Sequence, residues 1–174
     1  MFNWAKIQWC QNDLPYSAEF QDVYYQDYGW QESQYVSLLQ SSIFQDLHCS
    51  LTPIIVAEIG FGSGLNFLAC VDLWEKQQYY RQAPLIYISF ESHPMTPADR
   101  SRASSRWVEA SWFDKKFTKA YCHLVPGVNI RYFPTENIFL ILIIGQASEQ
   151  IKKTSFKANH WILDGFCPKK NPET

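Results

Sequence analysis

The residues with the clearest chemical pattern form a glycine-rich segment directly after a run of apolar residues. Glycines occupy alternate positions at Gly60, Gly62 and Gly64. Glu58 lies two positions before the first of them and is expected to contact the same ligand as the glycines. Glycines let the backbone turn tightly and let a ligand approach it, and the free N–H groups at the start of a helix attract a carboxylate or phosphate. The GxGxG spacing differs from the GxGxxG of dinucleotide-binding sheets and favours S-adenosylmethionine, with an NAD-dependent oxidoreductase as the alternative.

A second carboxylate, Glu91, ends the next apolar run along the chain. An acid at the carboxyl end of a neighbouring strand can accept hydrogen bonds from both ribose hydroxyls of a nucleotide-like cofactor. The plainer interpretation is an ordinary glycine turn and a solvated glutamate. That interpretation leaves the three alternating glycines ahead of such an acid unexplained.

A third carboxylate, Asp164, follows the last apolar run and is therefore expected at the same edge of the sheet. Beside a methyl sulfonium, this group could hold an amine nucleophile by hydrogen bonding and accept its proton. Phe166 could stack on a flat base. An aspartate ahead of glycine also commonly caps a turn, and the spacing alone does not choose between these roles.

Several basic residues could contact phosphates, or could simply form a solvated helix face. They are Arg100, Arg102, Arg106, Lys115, Lys116, Lys119, Lys169 and Lys170. The four histidines show no spacing typical of metal ligands, so no metal site is predicted. Cys167 has no histidine placed by the sequence to activate it and is interpreted as an incidental thiol.

The elements that must position these residues are short apolar runs alternating with amphipathic stretches, a pattern typical of an α/β parallel sheet. Strands are predicted at 54–59, 85–90, 138–144 and 161–163, with an additional strand at 129–133. Helical spacing of apolar residues predicts a helix from 65 to about 80. Thr96, followed by proline and an acid at the third helical position, predicts a helix start, and Ser111 resembles it.

The chain has 174 residues, of which 47% are apolar and 18% charged, so we expect one folded domain. Residues 1–50 are aromatic and acidic and are interpreted as an N-terminal cap on a core formed by 51–174. The aromatic content of 17% indicates either a heavily packed core or surfaces that stack on planar ligands.

The net charge of −2 excludes a globally basic nucleic-acid binder. The charge is uneven, because residues 1–60 hold one basic and seven acidic residues whereas 61–174 hold 14 basic and 10 acidic ones. A polyanionic partner is therefore expected to meet the second part. The five cysteines are scattered without a CxxC pair and the apolar runs are short, which predicts a cytoplasmic protein without a membrane segment.

Taken in order, four segments of the chain resemble the methyltransferase domain of the bifunctional tRNA 5-methylaminomethyl-2-thiouridine biosynthesis proteins. The segments are residues 15–25, 58–67, 88–91 and 163–172. The resemblance implies a Rossmann-like, S-adenosylmethionine-dependent enzyme that methylates the exocyclic amine of 5-aminomethyl-2-thiouridine at the wobble position of tRNA. It also implies that the glycine loop and Asn66 lie by the methionine moiety, that Glu91 binds the ribose, that Asp164 faces the amine and that Tyr25 closes the cofactor pocket.

The chain departs from this family at two places. Gly145 is followed by Gln146 where the family usually has an aspartate near the adenine amino group, and the glutamine carbonyl can accept that hydrogen bond without charge. The family also continues beyond the position of Thr174, so we expect a sheet incomplete at its C-terminus. Because the flavin-dependent oxidase domain of the bifunctional members lies in that continuation, no FAD site is expected here. The alternative function is a catalytically inactive remnant that binds cofactor or tRNA only.

Overall fold

The computed structural model describes residues 2–35, 52–76 and 83–166. Its N-terminal part contains a small antiparallel sheet of three strands: β1 (Ile7–Trp9), β2 (Pro15–Ser17) and β3 (Asp22–Val23). A short helix, α1 (Gly29–Glu32), follows them. Part of the predicted N-terminal cap, residues 36–50, lies outside the described residues.

The second sheet has five strands and carries the core. They are β4 (Ile54–Ile59), β5 (Leu85–Glu91), β6 (Gly127–Phe133), β7 (Ile138–Ile144) and β8 (His160–Leu163). The spatial order is β6-β7-β5-β4-β8, in which every neighbouring pair is parallel except β6 with β7. This arrangement confirms the predicted α/β class and all four parallel strands, and it confirms β6 as the additional strand.

Within the described ranges, four α-helices follow strands of this sheet or connect them. They are α2 (Leu65–Lys76), α3 (Pro97–Ser104), α4 (Ser111–Tyr121) and α5 (Ala147–Gln150). The hydroxyl oxygen of Thr96 accepts a hydrogen bond from the Asp99 N–H at 3.1 Å, which confirms the predicted start of α3. The resemblance at Ser111 is only partial, because Ala110 occupies the capping position of α4 and no side chain caps it. No helix in the described ranges is long and apolar enough to cross a membrane.

Aromatic side chains fill the space between the sheet and the helices α2 and α4. Phe67 of α2 packs edge-on against Tyr87, Phe113 and Phe117, with ring centroids 5.1 to 5.9 Å apart. A smaller apolar cluster around Phe90 covers the opposite face of the sheet. The high aromatic content is therefore used largely for core packing, the first of the two alternatives that composition left open.

Arg100 is fully buried, which makes the phosphate-contact interpretation wrong for this residue. Its Nη1 donates to Asp114 Oδ1 at 3.0 Å, and its guanidinium lies 4.4 Å from the centre of the Phe117 ring. A buried arginine keeps its charge, so it requires a carboxylate partner and gains from an aromatic face. This side chain joins α3 to α4.

Two neighbouring arginines connect α3 and the loop after it to the N-terminal part of the chain. Arg102 Nε donates to Asp13 Oδ1 at 2.9 Å, and its guanidinium lies over the Trp9 ring. Arg106 Nη2 donates to Asp27 Oδ1 at 2.8 Å. The opposite charges of the two parts of the chain are thus partly used to attach one to the other, rather than being left for a polyanionic partner.

Candidate active site

A cleft with a volume of about 410 Å³ opens at the carboxyl ends of β4, β5 and β8. Its walls come from the glycine loop, the end of β5, residues 146–148, residues 164–166 and part of the N-terminal segment. In open α/β sheets this edge is where ligands bind, because the loops there diverge and leave a crevice. The structure therefore brings most of the sequence-predicted site residues to one place.

The glycine loop adopts backbone conformations that other residues rarely take. Gly60, Gly62 and Gly64 have φ angles of +85°, +54° and +80°. A Cβ at Gly62 would lie 3.1 Å from Tyr24, and a Cβ at Gly64 would lie 3.1 Å from the Phe61 ring. Steric limits thus require glycine both for the turn and for the close packing beneath it, as the spacing predicted.

Glu91 lies in the cleft wall and is only 8% exposed, so the interpretation as a solvated glutamate is wrong. Its two carboxylate oxygens accept hydrogen bonds from the N–H groups of Gly62 at 2.8 Å and His93 at 2.7 Å. Burial raises the pKa of Glu91, and these backbone N–H groups oppose that shift. The carboxylate ties the glycine loop to β5 and still has lone pairs for a further donor.

Glu58 lies behind the cleft wall rather than in it, which corrects its expected place among the cofactor contacts. It is 1% exposed, and its oxygens accept hydrogen bonds from Asn66 Nδ2 at 3.0 Å and Ser89 Oγ at 2.8 Å. Burial raises its pKa from 4.5 to about 8. The side chain reaches this position because it sits on the inward-facing side of β4, where it supports Asn66.

Asp164 follows β8 directly and is exposed at the edge of the cleft. Its Oδ2 accepts a hydrogen bond from Asn66 Nδ2 at 3.2 Å. Asn66 belongs to the first turn of α2, so the helix that follows the glycine loop also contacts the end of β8. A solvent-accessible carboxylate in this position can bind an amine and pass a proton on to water.

Three aromatic rings enclose one side of the cleft. Phe166 stacks on Phe20 with centroids 4.6 Å apart, and its edge meets Tyr24 at 5.1 Å. Burial and the nearby Glu91 raise the pKa of Tyr24, so its hydroxyl stays protonated at neutral pH. The stacking of Phe166 on a base of the substrate remains a prediction, and one face of the ring is already occupied by Phe20.

Tyr25 does not line this cleft, contrary to its expected role in closing the cofactor pocket. Its hydroxyl donates to the Ala103 carbonyl at 3.0 Å and its ring packs against Trp107. The preceding residue, Tyr24, lines the cleft instead, directly after β3. Phe20 and Tyr24 were missed by sequence reasoning, although the aromatic character of the segment was a signal for them.

The remaining predicted contacts divide into two groups. Gln146 lies in the cleft wall immediately before α5, in agreement with a contact to the cofactor base, which stays a prediction. Lys169 and Cys167 lie outside the described residues. Among the residues that are described, no group of three or more histidine, cysteine, aspartate or glutamate side chains is arranged to hold a metal ion.

The strand order, the glycine loop after β4 and the carboxylates at the sheet edge are those of a Rossmann-like methyltransferase fold. Residues 109–174 match a family described as S-adenosyl-L-methionine-dependent methyltransferase. Over 99% of its length the chain is 34% identical to the tRNA 5-methylaminomethyl-2-thiouridine biosynthesis bifunctional protein MnmC of Stutzerimonas stutzeri (strain A1501). It is 32% identical, again over 99% of its length, to the protein of that name from Methylobacillus flagellatus. Along nearly its whole length, the chain is thus similar to part of the MnmC proteins.

The chain spans about a quarter of the length of these relatives, covering 26% and 27% of them. The crystal structure of MNMC2 from Aquifex aeolicus has a similar fold, with a TM-score of 0.64 and 22% sequence identity. That comparison covers 98% of this chain and 52% of the other. The likeness extends over both the N-terminal part and the five-stranded sheet.

Proposed function

We propose that this chain transfers a methyl group from S-adenosylmethionine to the exocyclic amine of 5-aminomethyl-2-thiouridine at the wobble position of tRNA. The observation that carries the proposal is the placement of Asp164 in the same cleft as the glycine loop and Glu91, with Asn66 bonded to its carboxylate. The names of the relatives refer to tRNA 5-methylaminomethyl-2-thiouridine biosynthesis, which supports the choice of substrate.

The cleft residues fit this cofactor. The cleft volume of about 410 Å³ is in the range of small-molecule sites. Gly60 and Gly62 leave the backbone open to a ligand, Glu91 can accept hydrogen bonds from ribose hydroxyls, and Gln146 can accept one from the adenine amino group. The cofactor, when bound, supplies a methyl group on a positively charged sulfur, and this sulfur leaves when an amine takes the methyl group.

Asp164 would bind and orient the substrate amine. Its carboxylate accepts a hydrogen bond from the amine nitrogen and takes up the proton that this nitrogen loses when it gains the methyl group. Because Asp164 is exposed, the proton can then pass to water. The rings of Phe20, Tyr24 and Phe166 line the same cleft as Asp164 and can pack against a bound ligand.

Replacing Asp164 tests this function. The Asp164→Ala variant should lose at least about 100-fold in methyl transfer from labelled S-adenosylmethionine to tRNA that lacks the modification. Calorimetry should show that its affinity for S-adenosylhomocysteine is unchanged, since the carboxylate acts on the amine and not on the cofactor.

Three other outcomes would lead to different conclusions. Equal loss of transfer and cofactor affinity would mean that Asp164 is structural. Binding of S-adenosylhomocysteine by the unaltered chain without any transfer would favour the function as a binding-only protein. Absence of both would contradict the proposal entirely.

A further inference from the structure

We propose that Ser33 and Asn66 form a positioning relay that holds the Asp164 carboxylate in the orientation needed to receive the substrate amine. The relay consists of Ser33, Asn66 and Asp164, with Glu58 as its buried anchor. The inference rests on the proposed function, since it concerns the carboxylate that would act on the amine.

The amide of Asn66 is fully used within the chain. Its Nδ2 donates to Glu58 Oε1 at 3.0 Å and to Asp164 Oδ2 at 3.2 Å, and an amide nitrogen has two hydrogens to donate. Its Oδ1 accepts a hydrogen bond from the hydroxyl of Ser33. A side chain whose donors are already committed to two carboxylates is suited to positioning one of them rather than to contacting a cofactor.

Ser33 holds the oxygen end of the Asn66 amide. The serine is buried, and its hydroxyl donates to Oδ1, which leaves Nδ2 facing the two carboxylates. A flipped amide would place Oδ1 against the Asp164 carboxylate, to which an amide oxygen cannot donate a hydrogen bond. Ser33 belongs to the N-terminal part of the chain, so that part sets the geometry of a residue in the core.

Asp164 needs such a restraint because it is exposed. A free aspartate side chain at an exposed position samples several staggered rotamers. The hydrogen bond from a buried, anchored amide favours the rotamer in which Oδ2 faces Asn66 and the rest of the carboxylate is accessible from the cleft. Small errors in the position of a reacting group can cost large factors in rate, so this restraint affects turnover more than binding.

Serine variants separate this role from a structural one. Ser33→Ala should lower kcat for methyl transfer by about tenfold and leave the dissociation constant of S-adenosylhomocysteine within about twofold. Ser104→Ala is the matched control, because it also removes a buried hydroxyl that donates to a side-chain oxygen, here Oδ2 of Asp114, away from the cleft. The control should keep kcat within about twofold, and Ser33→Thr should restore part of the lost turnover. Equal kcat values for Ser33→Ala and Ser104→Ala would overturn the proposal, as would a parallel loss of cofactor affinity.

The side-chain amide of Asn66 provides a readout that needs no activity. In ¹H–¹⁵N spectra of the full chain, the two Asn66 amide signals should shift in Ser33→Ala and in Asp164→Ala but stay in place in Ser104→Ala. Unchanged signals in Ser33→Ala would rule out the relay. If the unaltered chain transferred no methyl group to tRNA, the proposed function would fail, while the amide signals would still decide whether Ser33 orients Asn66.

Discussion

Three carboxylates approach the same edge of the sheet, and their surroundings give them different properties. Asp164 is exposed, whereas Glu91 is nearly buried and bonded to two backbone N–H groups. Glu58 is completely enclosed, and burial raises its pKa to about 8. Glu58 is therefore largely protonated at neutral pH, which limits the negative charge around the Asn66 amide.

The raised pKa of Glu58 predicts a pH dependence of stability. Between its unfolded pKa of 4.5 and its folded pKa of about 8, the folded state holds a proton that the unfolded state has released. The free energy of unfolding therefore falls as the pH rises through this window and levels off above it. Urea denaturation measures the free energy of unfolding at each pH. Between about pH 5 and about pH 8, this free energy should fall by a few kcal/mol less in Glu58→Gln than in the unaltered chain.

The Gln side chain suits this comparison because it keeps an acceptor for Asn66 and has a donor for Ser89. Other groups, including Glu91, titrate in both proteins, so the difference between the two curves isolates Glu58. Parallel curves would show that Glu58 is ionised in the folded state across the whole range.

A side chain at Gly64 should lower the stability of the fold. Its φ angle is +80°, and an added Cβ would lie 3.1 Å from Phe61 and 3.2 Å from Phe117. We expect Gly64→Ala to lower the free energy of unfolding by about 1–3 kcal/mol, measured by denaturant titration. Gly165→Ala is the control, since nothing lies within 4 Å of its Cβ position, and a similar loss there would contradict the steric argument.

A buried ion pair holds the helices α3 and α4 together, whereas the ion pairs that attach the N-terminal part are more exposed. Arg100 is fully buried beside Asp114, whereas Arg106 is partly exposed and Asp27 is exposed to solvent. Removing the carboxylate from a buried arginine leaves an uncompensated charge, but an exposed pair is weakened by water and salt. The two pairs therefore make different contributions to stability.

This contrast can be measured with two aspartate variants. Asp114→Ala should lower the free energy of unfolding by about 3 kcal/mol, because the guanidinium of Arg100 cannot reach solvent. Asp27→Ala should cost at most about 1 kcal/mol. Chemical denaturation at one fixed pH and salt concentration compares them directly, and equal losses would mean that Arg100 finds another partner.

For the whole molecule, the N-terminal part and the five-stranded sheet are joined by contacts of several kinds. Trp9 donates to Asp99 at 3.3 Å, Tyr25 donates to the Ala103 carbonyl, and Trp30 packs against Trp107. A small three-stranded sheet without such contacts would be marginal in water. The predicted role of residues 1–50 as a cap of the same domain therefore leads to a test of cooperativity.

We expect the two parts to unfold in a single transition. Fluorine NMR of 5-fluorotryptophan distinguishes Trp9, in the N-terminal sheet, from Trp74, in α2. The native signals of both residues should disappear over the same range of urea concentration, as a two-state domain requires. Loss of the Trp9 signal while Trp74 remained native would show that the N-terminal part is a separate unit.

The sequence alone predicted those features that depend on local chemistry. Alternation of apolar runs located β4, β5, β7 and β8, and the hydroxyl of Thr96 located the start of α3. The positions of Glu91 and Asp164 directly after two strands predicted that both would reach the ligand-binding edge. These predictions succeed because periodicity, capping and glycine conformations are determined by neighbouring residues.

Which side chains face the cleft and which support it depends on contacts made in the folded chain. Glu58 lies behind Asn66, Tyr24 takes the place expected for Tyr25, and Arg100 is buried against Asp114. The hydrogen bond from Ser33 to Asn66 forms because the N-terminal part packs against α2. Each of these outcomes depends on contacts between residues far apart in the chain, and no local pattern of residue types specifies burial, pairing or the direction of a side chain across such distances.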